Sequence, residues 1–526
     1  TTNYNYLTEN TLTYNKVFDK HAVNILAGYT YQAENGSESK VTGGNIADDN
    51  LQNIAGASTF TVNKDDYKWT QISYLARIQY AYENKYLLTA TLRRDASSRF
   101  GNNKKWGSFP SVSLGWVLSN EKFYENVKYI TFVKLRASWG MAGNNQIGNY
   151  SAIALVNGGA DANYIFGNNL ATGYTADRVS NLNLTWETKS SANFGFDLAF
   201  FNQINLSLDY YTGTTNDLLL KAPMPAQSGF VTYLENIGRV RNSGLEVELS
   251  TEQLKFRKWG WRFSAQIAAN QNKVLALAPG QEQIIQGEEG NIVTKVGGPI
   301  AEIYGYKITG IFKEQNAVNT TPCLPGTLVG DYRMEDVNKD GKINTDDRIP
   351  IGTYNPKATY GFSSAFSYAN FELSVGFNGV IGRTIFNRQL ASSNGSGEGF
   401  APPFQYYFDN RYHADSNPDG FFCMPNFGNF SSARKQSKAN TLYTESGDYI
   451  RLRNLRLTYN IPASRLTKGK IKAARIYISG NNVFTYVKKY HGFNPEGTTE
   501  NILTSGQAQS NYPFSKIWLI GCNLTF

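Results

Sequence analysis

The sequence predicts an all-β fold: a transmembrane antiparallel β-barrel with long external loops and short periplasmic turns. Three observations carry this. At the end of the chain Trp518, Ile520, Cys522, Leu524 and Phe526 share one parity, and Ile517, Leu519, Gly521, Asn523 and Thr525 take the other. Side chains alternate across a strand, so this segment has one apolar face and one mixed face. The same alternation recurs in segments of about 10 to 15 residues, whereas a mean soluble strand has about 5 to 6. Finally, the connections alternate between short and long, as in outer-membrane barrels.

Composition agrees. Aromatic residues make up 14% of the 526 positions, mostly Tyr and Phe, while charged residues reach only 18%. Tyr-rich girdles at the two membrane interfaces account for such an excess. The chain is not hydrophobic on average, and no uncharged apolar run approaches the ~18 residues that suggest a spanning helix. The net charge of +9 is scattered along the sequence. A nucleic-acid partner needs a concentrated basic patch, so none is expected. Contact with anionic outer-membrane lipid, or a cationic lumen, fits better. The three Cys and three His lack metal-ligand spacing. Cys323 and Cys423 fall in expected external loops, either bonded to each other or as free thiols, and Cys522 should face lipid.

Taken in order, the expected strands are 4–17, 20–33, 68–83, 85–95, 107–118, 130–140, 185–201, 203–215, 239–251, 258–270, 358–368, 371–382, 448–460, 473–483 and 515–526. In 68–83, for instance, Ile72, Tyr74, Ala76, Ile78, Tyr80 and Tyr82 alternate with Gln71, Ser73, Leu75, Arg77, Gln79 and Ala81. Trp259, Trp261, Phe263, Ala265 and Ile267 oppose Arg262, Ser264 and Gln266. Short connections lie near 18–19, 84, 202 and 369–370; long ones span 34–67, 141–184, 271–357, 383–447 and 484–514. One strand breaks the pattern: Ile450 and Leu452 have one parity, and Leu455, Leu457 and Tyr459 the other. A β-bulge near Asn454 would restore a single face; otherwise Arg451 and Arg453 turn towards head groups. The total is about 15 strands, an odd number that begins outside, whereas single-chain bacterial barrels have an even number. Earlier strands are therefore expected before residue 1. The front also lacks the signal peptide that an exported barrel needs, so the chain is expected to be processed, cut or incomplete there.

The sharpest motif lies in the expected external loop 330–352. Asp336, Asn338 and Asp340 occupy positions 1, 3 and 5 of an EF-hand-type loop, with Gly341 at the sharp turn. Lys342 offers its backbone carbonyl, Ile343 an apolar anchor, Asn344 position 9 and Asp347 position 12. These hard oxygen donors favour Ca2+. No helical pattern flanks them, so the expected role is a structural clip rather than a sensor. Catalytic constellations are weak. Glu246, Glu248 and Glu372 line the expected lumen, where solvation explains them better than acid–base pairing. An enzyme is not expected.

Several separated motifs together resemble the barrel half of the SusC/RagA-type TonB-dependent transporters. They are Leu92–Gly101 followed by Trp106–Ser111; Leu135–Gly140 with Gly143, Asn144, Ile147 and Gly148; Asn236–Gly238 with Asn242–Glu246; Gly330 and Asp331 leading through the acidic loop to Ile351 and Gly352; and Tyr449–Leu455. Ala96 stands where such proteins more usually have Gly. The resemblance implies a barrel of about 22 strands, an N-terminal plug with a TonB box, and a SusD-like surface lipoprotein as lid. It further implies active import of a glycan or an oligopeptide, driven through TonB. The plug and TonB box are not in this sequence, so residues 1–526 alone would not couple to energy. The terminal residues Trp518, Ile520, Leu524 and Phe526 resemble the signal read by the barrel-assembly machinery. Two other readings compete: a passive porin-like channel, and a surface adhesion or docking protein. External-loop aromatics such as Tyr406, Tyr407, Phe421 and Phe422 are expected to cement the loops or contact the lipoprotein more than to stack on sugar.

Overall fold

The computed structural model describes residues 1–526 apart from 49, 51–52, 159–161, 231, 288–289, 394–402, 425–438, 463–470, 498–501 and 509–511. The chain forms two compact units. Thr1–Asn126, Lys134–Phe194 and Thr212–Val240 make the first; Val127–Val133, Gly195–Tyr211 and Arg241–Phe526 make the second. No helix among the described residues is long and apolar enough to cross a membrane.

In the first unit the strands Thr2–Phe18, His21–Ile46, Ala57–Tyr82, Tyr86–Ser97 and Trp106–Val117 pair antiparallel, each with the next. Strand Ile130–Asn144 continues the series through Ser111↔Gly140 and Val117↔Lys134. Register explains why the alternation is so legible. Ile25, Ile78, Ala90, Val112 and Trp139 are directly opposite one another across five strands. A one-residue slip at any strand would turn its apolar set to the other face. The rings and aliphatic chains of this band are exposed, which suits a lipid solvent and not water. The tight connections come from residues with positive φ. Glu83 and Asn84 both adopt it, and Lys85 N–H donates to the Tyr82 carbonyl at 2.9 Å. Such a turn matches the right-handed twist of the strands it joins.

The second unit repeats this logic. Strands Trp259–Ala276, Ala358–Tyr368, Phe371–Ile381, Thr444–Ile461, Ala473–Lys489 and Ile517–Thr525 pair in succession. Trp261, Phe366, Leu373, Leu457, Ile478 and Ile520 form one continuous apolar row across them. The expected bulge is present. Gly376 pairs with Asn454 and Phe377 with Leu452, so Arg453 is the extra residue. Ile450 and Leu452 thereby share a face with Leu455 and Leu457, and Arg451 lies opposite Asn378 on the polar face. The head-group alternative for Arg451 is excluded.

Each expected strand is found. Among the described residues the main sheet comprises 18 strands, because Leu254–Phe256, Thr384–Asn387 and Gln507–Ala508 add short pieces. The principal correction concerns the span 34–67, expected as a long loop. The hairpin continues through it, with pairing down to Ile46↔Ala57. One face of that extension carries Glu, Lys and Thr and the other Ser, Lys and Asp, so hydropathy loses its period there while the backbone ladder persists. The span 271–357 also holds structure of its own. Gln283–Gln286, Ile292–Lys295, Glu302–Gly305 and Ile349–Thr353 make a four-stranded sheet, and Ile308–Ile311 pairs with Tyr332–Met334. The expected loop 383–447 lies partly outside the described residues.

Candidate functional site

The second unit carries two features that bear on function: a packed cluster of loops and a polar recess in the wall. The loop cluster has a true core. Ile292, Ile303, Tyr306, Leu324, Tyr332, Phe386, Leu390, Tyr407, Phe422 and Tyr443 are buried together. The acidic loop is fastened to this core by Ile343, only 3% exposed.

Within the acidic loop the side chains organise the backbone. Gly341 N–H donates to Asp336 Oδ2 at 2.9 Å, Asp340 N–H to Asn338 Oδ1 at 3.0 Å, and Lys342 N–H to Asp340 Oδ1 at 2.9 Å. Asp347 is fully buried; its two oxygens accept from Val337 N–H and Asn344 N–H, each at 2.9 Å. Asn344 in turn caps the short turn Thr345–Asp347. Asp336 Oδ1 is buried and has no hydrogen-bond partner. Among the described residues, no group of three or more His, Cys, Asp or Glu is disposed to hold a metal. The oxygen-bearing side chains of the loop are those of Asp336, Asn338, Asp340, Asn344 and Asp347. The loop ends on Arg348, whose Nη2 donates to the carbonyls of Gly290 (2.6 Å) and Tyr304 (3.2 Å).

The aromatics singled out in the sequence cement the loops. Tyr406 stacks on His491 with centroids 3.8 Å apart, Phe421 lies 4.7 Å from Phe422, and the Tyr407 hydroxyl donates to the Cys423 carbonyl at 2.9 Å. All three cysteines are free thiols; Cys522 is exposed opposite Ile476. The four terminal residues Trp518, Ile520, Leu524 and Phe526 are exposed on one face, Ile520 at 78%.

The recess lies on the polar face of the second-unit strands. Its volume is 740 Å3, and it is lined by small residues Ser264, Gly361, Ser363 and Gly376 and by Gln266, Asn378, Arg451, Arg453, Asn454, Asn481 and Glu496. Register makes the hollow. Gln266, Gly361, Asn378 and Arg451 form one cross-strand row, and Ser264, Ser363, Gly376, Asn454 and Asn481 the next. A second cavity of 540 Å3 shares Gln266, Tyr360, Asn378 and Glu496 with it and is lined further by Asp209, Glu246, Glu248 and Arg383. Two of the three carboxylates expected in the lumen are therefore placed together, whereas Glu372 lines neither cavity.

Arg451 is the best-held charge of the recess, at 3% exposure. Its Nε donates to Thr485 Oγ1 at 3.0 Å and its Nη1 to Glu496 Oε2 at 2.6 Å. The Phe514 ring lies 3.7 Å from the guanidinium. Burial pushes the Glu496 carboxyl up, but the hydrogen bonds from Tyr449 and Arg451 outweigh it and hold the group below its ordinary range. Glu496 is thus an anion at neutral pH. Sequence reading missed Glu496, Gln266 and Asn378. The available signal was the run of Gly and Ser on the polar parity of three neighbouring strands.

Other resembling motifs have structural tasks. Arg99 donates to Asn149 Oδ1 at 2.9 Å and covers the Trp69 ring at 4.5 Å. Phe100, Phe109 and Trp186 form a small buried core. Asn236 accepts from Thr185 N–H and donates to the Thr185 and Asp217 carbonyls, each at 2.9 Å.

Long antiparallel strands with an exposed apolar band on one face and a polar, recessed face on the other define an outer-membrane β-barrel protein. The family model for the TonB dependent receptor-like β-barrel matches residues 1–483, and the chain belongs to that family. Its relatives include TonB-dependent receptor P3 of Formosa agariphila, 31% identical over 99% of this chain and 52% of the relative. TonB-dependent receptor SusC of Bacteroides thetaiotaomicron is 27% identical over 87% of this chain and 44% of the relative. Among solved structures, a chain of the RagAB peptide transporter superposes with a TM-score of 0.83 at 26% identity, over 100% of this chain and 56% of that one. The chain is thus a SusC/RagA-type transporter barrel of the bacterial outer membrane, and it spans about half the length of the curated relatives it matches.

Proposed function

We propose that this chain is the barrel portion of an outer-membrane importer of oligosaccharides or oligopeptides. The observation that carries the reading is the superposition, along the whole chain, on a transporter of this type. The polar recess and its neighbouring cavity supply the hydrogen-bonding wall that an oligomeric nutrient needs. In this reading a SusD-like surface lipoprotein closes the outer end and the TonB complex opens the inner one. The role is that of a receptor and conduit, not of a catalyst. The test is uptake of labelled oligomers by cells that carry the natural gene or its deletion, with and without collapse of the proton gradient. Uptake that survives gradient collapse would make the protein a passive channel; uptake that survives deletion would remove it from transport.

We further propose that the acidic loop binds Ca2+ through Asp336, Asn338, Asp340, the Lys342 carbonyl, Asn344 and Asp347. The buried, unpartnered Asp336 Oδ1 supports this, because a hard cation is what a buried carboxylate oxygen without a donor fits. The ion would clip the loop onto the Ile343 core. Calcium titration of the purified protein by calorimetry tests this; no heat at millimolar calcium would refute it. Trp518, Ile520, Leu524 and Phe526 are proposed as the barrel-assembly signal, which a Phe526→Ala variant tests through its rate of membrane insertion.

A further inference from the structure

We infer that the 740 Å3 recess is a carboxylate-binding site and that it selects the anionic end or unit of the transported oligomer. The inference rests on the import reading for its biological setting, but its chemistry comes from the recess alone.

The first observation is Arg451. A planar guanidinium offers donors in a fixed fork suited to a carboxylate. Here the fork is held rigid by Thr485, Glu496 and the Phe514 ring, so two of its three nitrogens are committed. The third, Nη2, is buried and has no hydrogen-bond partner. A buried charged donor is costly to leave unmatched, and the acceptor it calls for must arrive from the recess that Arg451 lines. The second observation is the local charge. Arg453 lines the same recess, is exposed, and has no ion-pair partner among the described residues. Glu496 is engaged by Arg451 and by the Tyr449 hydroxyl. Arg451 and Arg453 against Glu496 leave one net positive charge for a ligand.

The third observation sets the ligand's other chemistry. Asn378 Oδ1 is buried without a donor, while its Nδ2 donates to the Tyr449 hydroxyl at 3.3 Å. The recess therefore asks for an N–H or O–H beside the carboxylate. The terminal carboxylate of a peptide with its preceding amide has this pairing, as does a uronic acid with its ring hydroxyl. The volume lies within the ~300–1,000 Å3 usual for small-ligand sites. The site is also tunable by sequence: a Cβ on Gly376 would meet nothing closer than Asn454 Cβ at 3.7 Å, so a longer side chain there fills the hollow without a clash at its root.

The experiment is equilibrium binding to the natural full-length protein, purified in detergent, with four probes. They are N-acetyl-tetraalanine with a free or an amidated C-terminus, and tetragalacturonate or its methyl ester. At least one free acid should bind about tenfold or more tighter than its neutral counterpart. Arg453→Gln, on an exposed side chain without a hydrogen bond or ion pair among the described residues, should erase most of that preference; Gly376→Gln should weaken the acid as well. Arg451→Gln is a second variant whose folding is checked by heat-modifiable gel mobility. Which acid is preferred separates peptide from uronate. Equal binding of acid and neutral probes, no binding of either acid, or an acid preference untouched by Arg453→Gln would overturn the inference. Failure of the import reading looks different: acid-selective binding would persist while cellular uptake ignored the proton gradient.

Discussion

Replacing Asp347 by Asn separates the structural work of the acidic loop from any work done by a metal. The Asp347 carboxylate is fully buried and accepts from Val337 N–H and Asn344 N–H, at 2.9 Å each. An Asn in the same pose keeps one acceptor oxygen and turns an NH2 group towards the other backbone donor. One charge-assisted bond, worth about 1.5–3 kcal/mol, is lost outright, and the other falls to the neutral value of about 1 kcal/mol. Together the loop should lose about 2–5 kcal/mol of local stability. Because the barrel strands do not share these bonds, the loss should appear as local opening rather than global melting. Hydrogen exchange followed by mass spectrometry should show protection of the Val337 and Asn344 amides falling by about 30-fold to several thousand-fold. The drop should persist in chelator, since the bonds are intrinsic to the chain. Unchanged protection in chelator would refute the reasoning: the buried carboxylate would then not be what orders the loop.

Three further perturbations follow. Glu83 sits at a tight turn, where hydrogen bonds from Lys20 and Lys85 hold its carboxyl down to about 2 from 4.5. Its folded value is the lower one, so its stabilisation is full above about 4.5 and fades as pH falls towards 2; Glu83→Gln should flatten thermal stability across that window, measured by melting in detergent. Deleting Arg453 removes the bulge and should turn Arg451 towards head groups, with loss of its hydrogen bonds to Thr485 and Glu496, about 1.5–3 kcal/mol each. Folded yield by heat-modifiable gel mobility should fall sharply. Gly101→Ala places a Cβ 2.1 Å from the Leu182 carbonyl oxygen and should destabilise by about 1–3 kcal/mol. Gly56→Ala, with nothing within 4 Å of its Cβ, is the neutral control in the same melting assay.

The strands were legible because one face of each meets lipid. That constraint writes a period of two into the sequence, as at Ile25, Ile78, Ala90, Val112 and Trp139, which the register places side by side. The signal stops where the lipid stops. Strands His21–Ile46 and Ala57–Tyr82 stay paired beyond that limit, but residues such as Ser39, Lys64 and Thr61 have no buried face to keep, so no hydropathy period marks them. The loop core was hidden for a different reason. Ile303, Leu324, Phe386 and Tyr443 are far apart in sequence and meet only through tertiary packing. The turn of the acidic loop was legible because the spacing of its Asp, Asn and Gly residues is local. The recess was not, because it is made by what five strands lack at one level, and Glu496 reaches it from a loop.

The bulge links these two kinds of legibility. Without the extra residue, Arg451 would share the parity of Leu455 and Leu457 and face lipid. With it, Leu452 returns to the apolar row opposite Phe377, and Arg451 comes to lie opposite Asn378 and Thr485 on the polar face. The residue that interrupts the sequence pattern is thus the one that aims a cation into the recess, and the inserted residue, Arg453, adds a second cation beside it. An insertion in a ladder costs pairing and twist, so its position next to the best-held charge of the wall argues that the irregularity serves the site and not the sheet. A regular strand would also put Arg451 and Arg453 on one side, but on the parity of Leu455 and Leu457, towards lipid; it is the bulge that gives Arg451 to the polar wall.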